Sequence, residues 1–217
     1  MAHYTVIGLG RFGIAASLEL IDLGHTVTGV EREPKIAEKY VDDLTQMVIC
    51  DPSDEDALEE LNLNSSDVVL VAIGEDMESS LLCTLALKTV GVKNIWVKAN
   101  SKAHHAIVSK LGVERIIHPE EEMGIRVAQA LNYPAVNNYL TLGHGLHVIE
   151  ISIAESLDEV TLGDVLDNEP GSVEAILVTR GHIKFTKLGS AFVLKLHDVL
   201  LLCGTRHDLQ ELAPRLG

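Results

Sequence analysis

Close to the start of the 217-residue chain stands the sequence Val6-Ile7-Gly8-Leu9-Gly10-Arg11-Phe12-Gly13. Its Gly-x-Gly-x-x-Gly spacing is typical of a loop that joins a buried strand to a helix and binds phosphate. Gly8 permits the tight turn, Gly10 lets a phosphate approach the backbone, and Gly13 lets the helix pack against the strand. The N-terminus of the helix then offers free N–H groups and a partial positive charge. We therefore predict a nucleotide-binding loop here.

The context of this loop makes the spacing specific. A strand-like run precedes it, an amphipathic helical pattern follows it, and the next apolar run ends at Glu31. Glu31 lies 23 residues after Gly8, close to the spacing of about 20 residues at which an acidic side chain binds the ribose hydroxyls. We therefore predict Glu31 as the ribose ligand.

Alternation of short apolar runs with amphipathic ones continues through the first 120 residues. We predict strands at residues 4–7, 26–30, 47–49, 68–72, 95–98 and 115–117, and helices at 12–23, 34–41, 54–61, 76–90 and 102–111. Most of the strand-like runs are almost wholly apolar, as parallel strands covered on both faces are. The pattern predicts an α/β domain with a Rossmann-like, doubly wound parallel sheet.

The pattern changes after Pro119. One more helix is predicted at residues 120–131, and the turn-rich Asn132-Tyr133-Pro134 and Asn137-Asn138 follow it. Beyond them we predict strands at 146–153, 173–179, 183–185 and 199–203, and short helices at 161–166 and 207–212. We therefore divide the chain into a nucleotide-binding domain, residues 1–134, and a small α+β lobe, residues 135–217.

Composition restricts the partners. The chain has 32 acidic and 17 basic residues and a net charge of −15, which argues against nucleic acid or an anionic membrane as the main partner. No apolar run approaches the ~20 residues that span a bilayer. Cys50, Cys83 and Cys203 are odd in number and lie in apolar runs, so we interpret them as reduced core thiols. A soluble, intracellular protein is expected.

Further ligand contacts are expected at the carboxyl ends of the strands, where open α/β sheets bind their ligands. The candidates follow the third, fourth and fifth predicted strands: Asp51, then Ala72, Ile73 and Gly74, then Lys98 and Asn100. Asp51 and Gly74 would lie near the adenosine, and Lys98 would reach a phosphate. Ordinary loop chemistry explains each of these residues equally well.

Two arginines bear on the choice of nucleotide. Arg11 stands in the phosphate loop, where a guanidinium neutralises additional phosphate charge and so favours ATP or ADP over a neutral nicotinamide half. A solvated arginine that covers the helix end is the plainer alternative. Arg32 would lie over a base or bind a 2′-phosphate, but its neighbour Glu31 argues against NADP.

Catalytic machinery is missing from the sequence. Residues 135–217 are too short for most substrate domains, and the histidines show no ligand spacing with cysteines or carboxylates. We expect His104-His105 on a helix surface. No Gly-x-x-x-x-Gly-Lys-Ser/Thr loop occurs. These features favour a sensor pocket over an active site, with a small NAD(H)-dependent oxidoreductase or redox sensor as the alternative.

Several motifs together resemble the RCK/KTN family, the cytosolic regulatory subunits of Ktr-type potassium uptake systems. The motifs are Ile7-Gly8-Leu9-Gly10-Arg11-Phe12-Gly13, Val71-Ala72-Ile73-Gly74, Asn94-Ile95-Trp96-Val97-Lys98-Ala99, and Ile117-His118-Pro119-Glu120 with Met123-Gly124. The resemblance covers essentially the whole chain. Its C-terminal part is similar, more loosely, to an RCK C-terminal domain.

The resemblance implies an octameric ring that docks beneath a dimeric membrane potassium-translocating subunit, on the cytoplasmic face of the membrane. ATP and ADP would bind at the glycine loop and hold different ring shapes, with ATP favouring the open pore. An RCK module that responds to NAD(H) is the alternative. Some relatives bind a cyclic dinucleotide in the C-terminal lobe, but no motif here indicates one.

Carried over by position, the resemblance assigns Gly8, Gly10, Arg11, Phe12 and Gly13 to the phosphate loop. Glu31 would hold the ribose, although the family commonly has Asp there.

The resemblance also implies that Arg11 reaches the γ-phosphate across a dimer interface. Glu120 would hold a Mg²⁺ or Ca²⁺ ion near that phosphate, and Arg126 would stand close by. From the residues alone, Glu120-Glu121-Glu122 suit the first turn of a helix equally well, and Arg126 fits a plain surface position.

Overall fold

The computed structural model describes residues 1–132, 136–166 and 173–212. The chain forms two compact units, residues 1–122 and 123–217. This division falls inside the helix Pro119–Asn132, whereas the boundary that we predict from the sequence follows the last residues of that helix.

The first unit is a six-stranded parallel sheet in the order β3-β2-β1-β4-β5-β6. Its strands are β1 (His3–Ile7), β2 (Thr26–Glu31), β3 (Gln46–Ile49), β4 (Val68–Val71), β5 (Ile95–Lys98) and β6 (Arg115–Ile117). Strand order reverses between β1 and β4, so the crevice beyond their carboxyl ends is where such a sheet binds ligands. The Rossmann-like prediction is confirmed.

Helices connect these strands. They are α1 (Arg11–Asp22), α2 (Pro34–Tyr40), α3 (Glu55–Glu60), α4 (Met77–Thr89) and α5 (Lys102–Lys110), and α6 (Pro119–Asn132) follows β6. A 3-10 turn, Leu63–Ser65, precedes β4. Val6 and Ile7 are both fully buried and belong to separate apolar clusters. Because successive side chains of a strand point to opposite faces, the sheet is covered on both sides.

The second unit contains an antiparallel sheet in the order β10-β9-β11-β8-β7. Its elements are β7 (Val136–Gly143), β8 (Leu146–Ser152), α7 (Leu162–Val165), β9 (Val173–Arg180), β10 (Ile183–Phe185), β11 (Val199–Thr205) and α8 (Arg206–Leu212). A 3-10 turn, Glu155–Leu157, follows β8. Arg180 pairs with Ile183 across the β9–β10 connection, which confirms the predicted hairpin.

One strand of this sheet was not predicted. Asn137 and Asn138, expected in a turn, lie in β7 next to a bulge in the ladder with β8. The Asn137 Nδ2 donates to Ser152 Oγ at 2.7 Å, and the Asn138 Nδ2 donates to Glu150 Oε1 at 3.2 Å. These cross-strand bonds replace the local side-chain bonds by which asparagine favours turns. Residues 133 and 134 of the predicted turn lie outside the described residues.

The three cysteines are free thiols, as predicted. Cys83 is fully buried in the core of the first unit, and Cys50 and Cys203 are half-buried. Burial, with smaller contributions from the negative charges near it, raises the pKa of the Cys83 thiol far above its ordinary value. The thiol therefore stays protonated and chemically inert at neutral pH.

Candidate functional site

The glycine loop joins β1 to α1 and is built around two glycines that no other residue can replace cheaply. Gly8 has φ +91°, and its N–H donates to the Val30 carbonyl oxygen at 2.8 Å. A Cβ atom on Gly13 would stand 2.0 Å from the Gly8 carbonyl oxygen. Both positions therefore need glycine for the strand and helix to meet this closely.

Gly10 differs from these two glycines. It is the extended residue before α1, and a Cβ atom there would meet no atom within 4 Å. No side chain caps the helix at this residue. The first-turn N–H groups of α1 and the open space beside Gly10 together form a place where a phosphate can approach the backbone.

Glu31, the last residue of β2, has its carboxylate fixed beside this loop. The side chain is buried, its Oε2 accepts the Leu9 N–H at 2.8 Å, and its Oε1 accepts the Glu33 N–H at 3.0 Å. Each oxygen keeps a second lone pair, which a ribose hydroxyl can use. The structure thus adds a role that the spacing did not predict, since Glu31 also anchors the glycine loop.

Lys98 brings three predicted site residues together. It ends β5, and its Nζ lies 2.6 Å from Glu120 Oε1 and 5.7 Å from the centre of the Phe12 ring. Gly74 is equally close, because a Cβ atom on it would lie 2.8 Å from the same Nζ. The hydrogen bond from Lys98, helped by the charges of Lys98 and Arg11, holds the pKa of Glu120 below its ordinary value. Lys98 and Glu120, predicted separately as phosphate and cation ligands, therefore bind each other here.

Asn100 links the ends of β4 and β5. Its Nδ2 donates to the Gly74 carbonyl oxygen at 2.9 Å, and its Oδ1 lies 3.2 Å from His104 Nδ1. The Asn100 backbone N–H also lies 3.4 Å from the same Nδ1, so the tautomer of His104 decides which of these two contacts is a hydrogen bond. Asn100 and Gly74 are thus neighbours, as expected of residues at the same edge of the sheet.

The expectation that His104 lies on a helix surface was wrong. His104 is fully buried, and burial, followed by the charge of His118, lowers its pKa. It shares the buried face of α5 with Val108, four residues later, and this helical spacing was the available signal. His105 is exposed, and its Nδ1 lies 2.8 Å from His118 Nε2.

Asp51 and Arg32 mark the edge of the site beyond β3 and β2. Asp51 is exposed and accepts two hydrogen bonds from Ser53, which are the main reason that its pKa is lowered. The Arg32 charge contributes to that shift, and the Arg32 Nε lies 3.9 Å from Glu33 Oε1. Ala72 is buried and Ile73 half-buried after β4, so these two form the apolar floor beside Gly8.

Arg11 is exposed at the first residue of α1. Its charge makes a small contribution to the lowered pKa of Glu120, so the guanidinium and this carboxylate are close enough for their charges to interact.

Among the described residues, no group of three or more His, Cys, Asp or Glu side chains is placed to hold a metal ion. A divalent cation at Glu120 would therefore need oxygen ligands from elsewhere, such as nucleotide phosphates. The predicted cation role of Glu120 stays a prediction. Within the same described residues, every helix is too short or too polar to cross a bilayer.

The TrkA-N domain model matches residues 4–119, which span the parallel sheet from the second residue of β1 to the end of β6. The chain belongs to the TrkA-N family. Two relatives match this TrkA-N protein over almost their whole length. The Ktr system potassium uptake protein A of Bacillus subtilis (strain 168) is 38% identical over 210 residues, which are 96% of this chain and 94% of the relative. That of Vibrio alginolyticus is 33% identical over 207 residues, with 95% and 94% covered.

A solved structure supports the same fold for this TrkA-N chain. The GsuK RCK domain covers 100% of this chain and 48% of its own, with a TM-score of 0.66 and 16% identity. Together with the Ktr relatives, this likeness confirms the predicted resemblance to the RCK family.

Proposed function

We propose that this chain is a nucleotide-sensing regulatory subunit of a membrane potassium uptake system. The observation that carries the proposal is the site around the glycine loop, where the open helix end at Gly10, the fixed carboxylate of Glu31 and the ammonium of Lys98 lie at one edge of the sheet. We propose potassium as the transported ion because the similar proteins are named Ktr system potassium uptake proteins. The proposed output is regulation of transport, without chemical turnover.

ATP and ADP are the proposed ligands. Arg11 and Lys98 supply two positive charges near the loop. ATP and ADP end in a free terminal phosphate that can use this charge, whereas both phosphates of NAD(H) are esterified to riboses and carry less negative charge. In this proposal ATP activates and ADP inactivates. The two nucleotides shift the equilibrium only by their different affinities for the two states, so the γ-phosphate must make a contact that ADP lacks.

The proposed assembly is an octameric ring bound to a membrane potassium-translocating subunit on the cytoplasmic face of the membrane. Arg11 of one chain and Glu120 of a neighbour would meet at the γ-phosphate, and a Mg²⁺ or Ca²⁺ ion would balance the carboxylate and the phosphate charges. A small difference in free energy per site is multiplied when all sites of a ring change together.

Substitution of Arg11 tests the nucleotide selectivity. We expect Arg11→Ala to lower the affinity for ATP about tenfold or more, the usual loss of a charge-assisted hydrogen bond, while ADP binding largely survives. Potassium uptake by the assembled system then loses its response to ATP. Arg206→Ala removes an exposed arginine from α8 and serves as the matched control. Equal losses for ATP and ADP would make Arg11 a general phosphate ligand.

Calorimetric titration with ATP, ADP and NADH, with and without Mg²⁺, tests the function as a whole. Tight binding of ATP and ADP by a large assembly, with much weaker NADH, supports the regulatory subunit. Selective binding of NADH by a small assembly contradicts it and favours a redox-linked module. Turnover of a nicotinamide substrate would exclude a sensor.

A further inference from the structure

We propose that Lys98 is a shared partner, bound by Glu120 in the nucleotide-free chain and transferred to a phosphate when nucleotide binds. Glu120 is then a competitor of the nucleotide, and nucleotide binding releases it at the start of α6. This inference rests on the proposed nucleotide site and concerns its regulation.

The geometry places the Lys98 ammonium between the Glu120 carboxylate and a residue of the phosphate loop. Lys98 Nζ lies 2.6 Å from Glu120 Oε1 and 5.7 Å from the centre of the Phe12 ring, which belongs to the phosphate loop. The Lys98 side chain is only 11% exposed, whereas that of Glu120 is 68% exposed. The ammonium is therefore held in place, and the carboxylate is free to turn away into solvent.

The energetics favour an exchange over a simple loss. A largely buried ammonium without an anion is costly, so Lys98 does not give up Glu120 unless another anion replaces it. A phosphate at the open helix end beside Gly10 is such an anion. Lys98 is paired with an anion before and after the exchange, so the exchange costs little free energy at Lys98. The main change is that Glu120 loses its partner.

Two consequences follow for binding. Glu120 lowers the apparent affinity for nucleotide, because part of the binding free energy is spent on separating it from Lys98. A divalent cation that takes the released carboxylate removes this cost, so the cation and the nucleotide strengthen each other's binding. The first consequence gives Glu120 a role in sensing even where no cation is present.

Calorimetric titration of ADP into the full-length protein, with divalent cations removed by chelator, tests the exchange. We expect Glu120→Gln to bind ADP about three- to tenfold more tightly than the wild type, since Lys98 is then free for the phosphate. Glu121→Gln makes the same change of charge at the exposed next position and should leave the affinity unchanged. Lys98→Gln should weaken ADP binding about tenfold or more.

The double variant Lys98→Gln/Glu120→Gln separates exchange from plain charge repulsion. If Glu120 acts through Lys98, its substitution gives no gain once Lys98 is absent. An equal gain in both backgrounds overturns the exchange and leaves direct repulsion between Glu120 and phosphate. Unchanged ADP affinity in Glu120→Gln also overturns it.

The experiment also distinguishes failure of the exchange from misfolding of a variant and from absence of nucleotide binding. Glu120→Gln alters an exposed side chain, so its result stands even if Lys98→Gln does not fold. Mg²⁺ should increase the ADP affinity of the wild type, because the cation binds the released Glu120 carboxylate. It should leave the ADP affinity of Glu120→Gln unchanged. A folded wild-type chain that binds no nucleotide overturns the proposed function together with the exchange. ADP binding by the wild type without a Glu120 effect overturns the exchange alone.

Discussion

At the scale of single residues, glycine is needed at the three positions of the phosphate loop for different physical reasons. Gly8 needs its positive φ, and Gly13 is required because a Cβ atom there would stand 2.0 Å from the Gly8 carbonyl oxygen. Gly10 faces open space. The same sequence pattern therefore contains two residues that the fold requires and one whose small size serves a ligand.

Alanine substitutions at two of these positions separate folding from binding. We expect Gly13→Ala to lower the free energy of unfolding by about 3 kcal/mol or to prevent folding, since α1 must move away from the loop. Gly10→Ala should change it by less than about 0.5 kcal/mol but weaken nucleotide binding, because the methyl group occupies the phosphate's approach. Urea denaturation and calorimetry measure the two effects. Equal stability of both variants would contradict the assignment.

Glu31 shows how one side chain supports both the fold and the site. Its carboxylate accepts N–H groups from Leu9 and Glu33 in a buried position. The spacing from Gly8 predicted the ribose role, which stays a prediction. The bonds to the backbone depend on the loop and the end of β2 lying side by side, which residue spacing does not reveal.

At the scale of elements, α5 is attached to the site through His104. The ring lies in the core of the first unit, and its Nδ1 bonds Asn100, which in turn bonds the Gly74 carbonyl oxygen. A second proton on the ring would place a charge in a buried environment, where Nε2 has no hydrogen-bond partner among the described residues. The neutral ring is therefore the form that the folded chain stabilises.

This burial predicts a loss of stability in mild acid. The folded-state pKa of His104 is lowered from its ordinary 6.5, so the unfolded chain binds a proton more readily. Stability contributed by the neutral ring is complete above about pH 6.5 and falls as the pH drops further. Urea denaturation at several pH values should show this fall, and His104→Gln should flatten it. His182→Gln, at an exposed turn, is the control, and an unchanged slope in His104→Gln would contradict the prediction.

The strands were predicted correctly where their side chains are apolar and buried, and a strand was missed where most side chains are exposed. The parallel strands were predicted correctly because the sheet is covered on both faces, so the sequence runs of its strands are mostly apolar. Strand β7 was missed because most of its residues are exposed and two polar asparagines follow its first residue, Val136. Its position depends on pairing with β8, which is a property of two segments and not of one.

At the scale of the whole molecule, assembly must overcome charge. Each chain carries −15, and close packing of such chains raises their mutual repulsion. Helix α6 nevertheless exposes at least half of each of four apolar side chains, Met123, Ile125, Val127 and Leu131. Exposed apolar groups of this size are typical of surfaces that another protein covers, which agrees with the proposed ring.

The balance of these two effects predicts a salt-dependent assembly. We expect the mass of the assembly to increase as the salt concentration rises from about 10 mM to about 500 mM, since the Debye length falls well below 10 Å in that range. Sedimentation velocity measures it. Mg²⁺ at constant ionic strength is the comparison that separates general screening from bound cations. Dissociation at high salt would mean that ion pairs, and not apolar contacts, hold the chains together.

Local sequence patterns determine much of the fold of this protein. The glycine spacing, the apolar strands and the helix ends act over a few residues, so they correctly predicted the doubly wound sheet. They also supplied the candidate ligand contacts at its carboxyl edge, which stay predictions. The meeting of Lys98 with Glu120, the burial of His104 and the pairing of β7 join residues that local patterns leave independent. Packing decided these, because the free energy of a buried charge or an edge strand depends on which partner the folded chain brings to it.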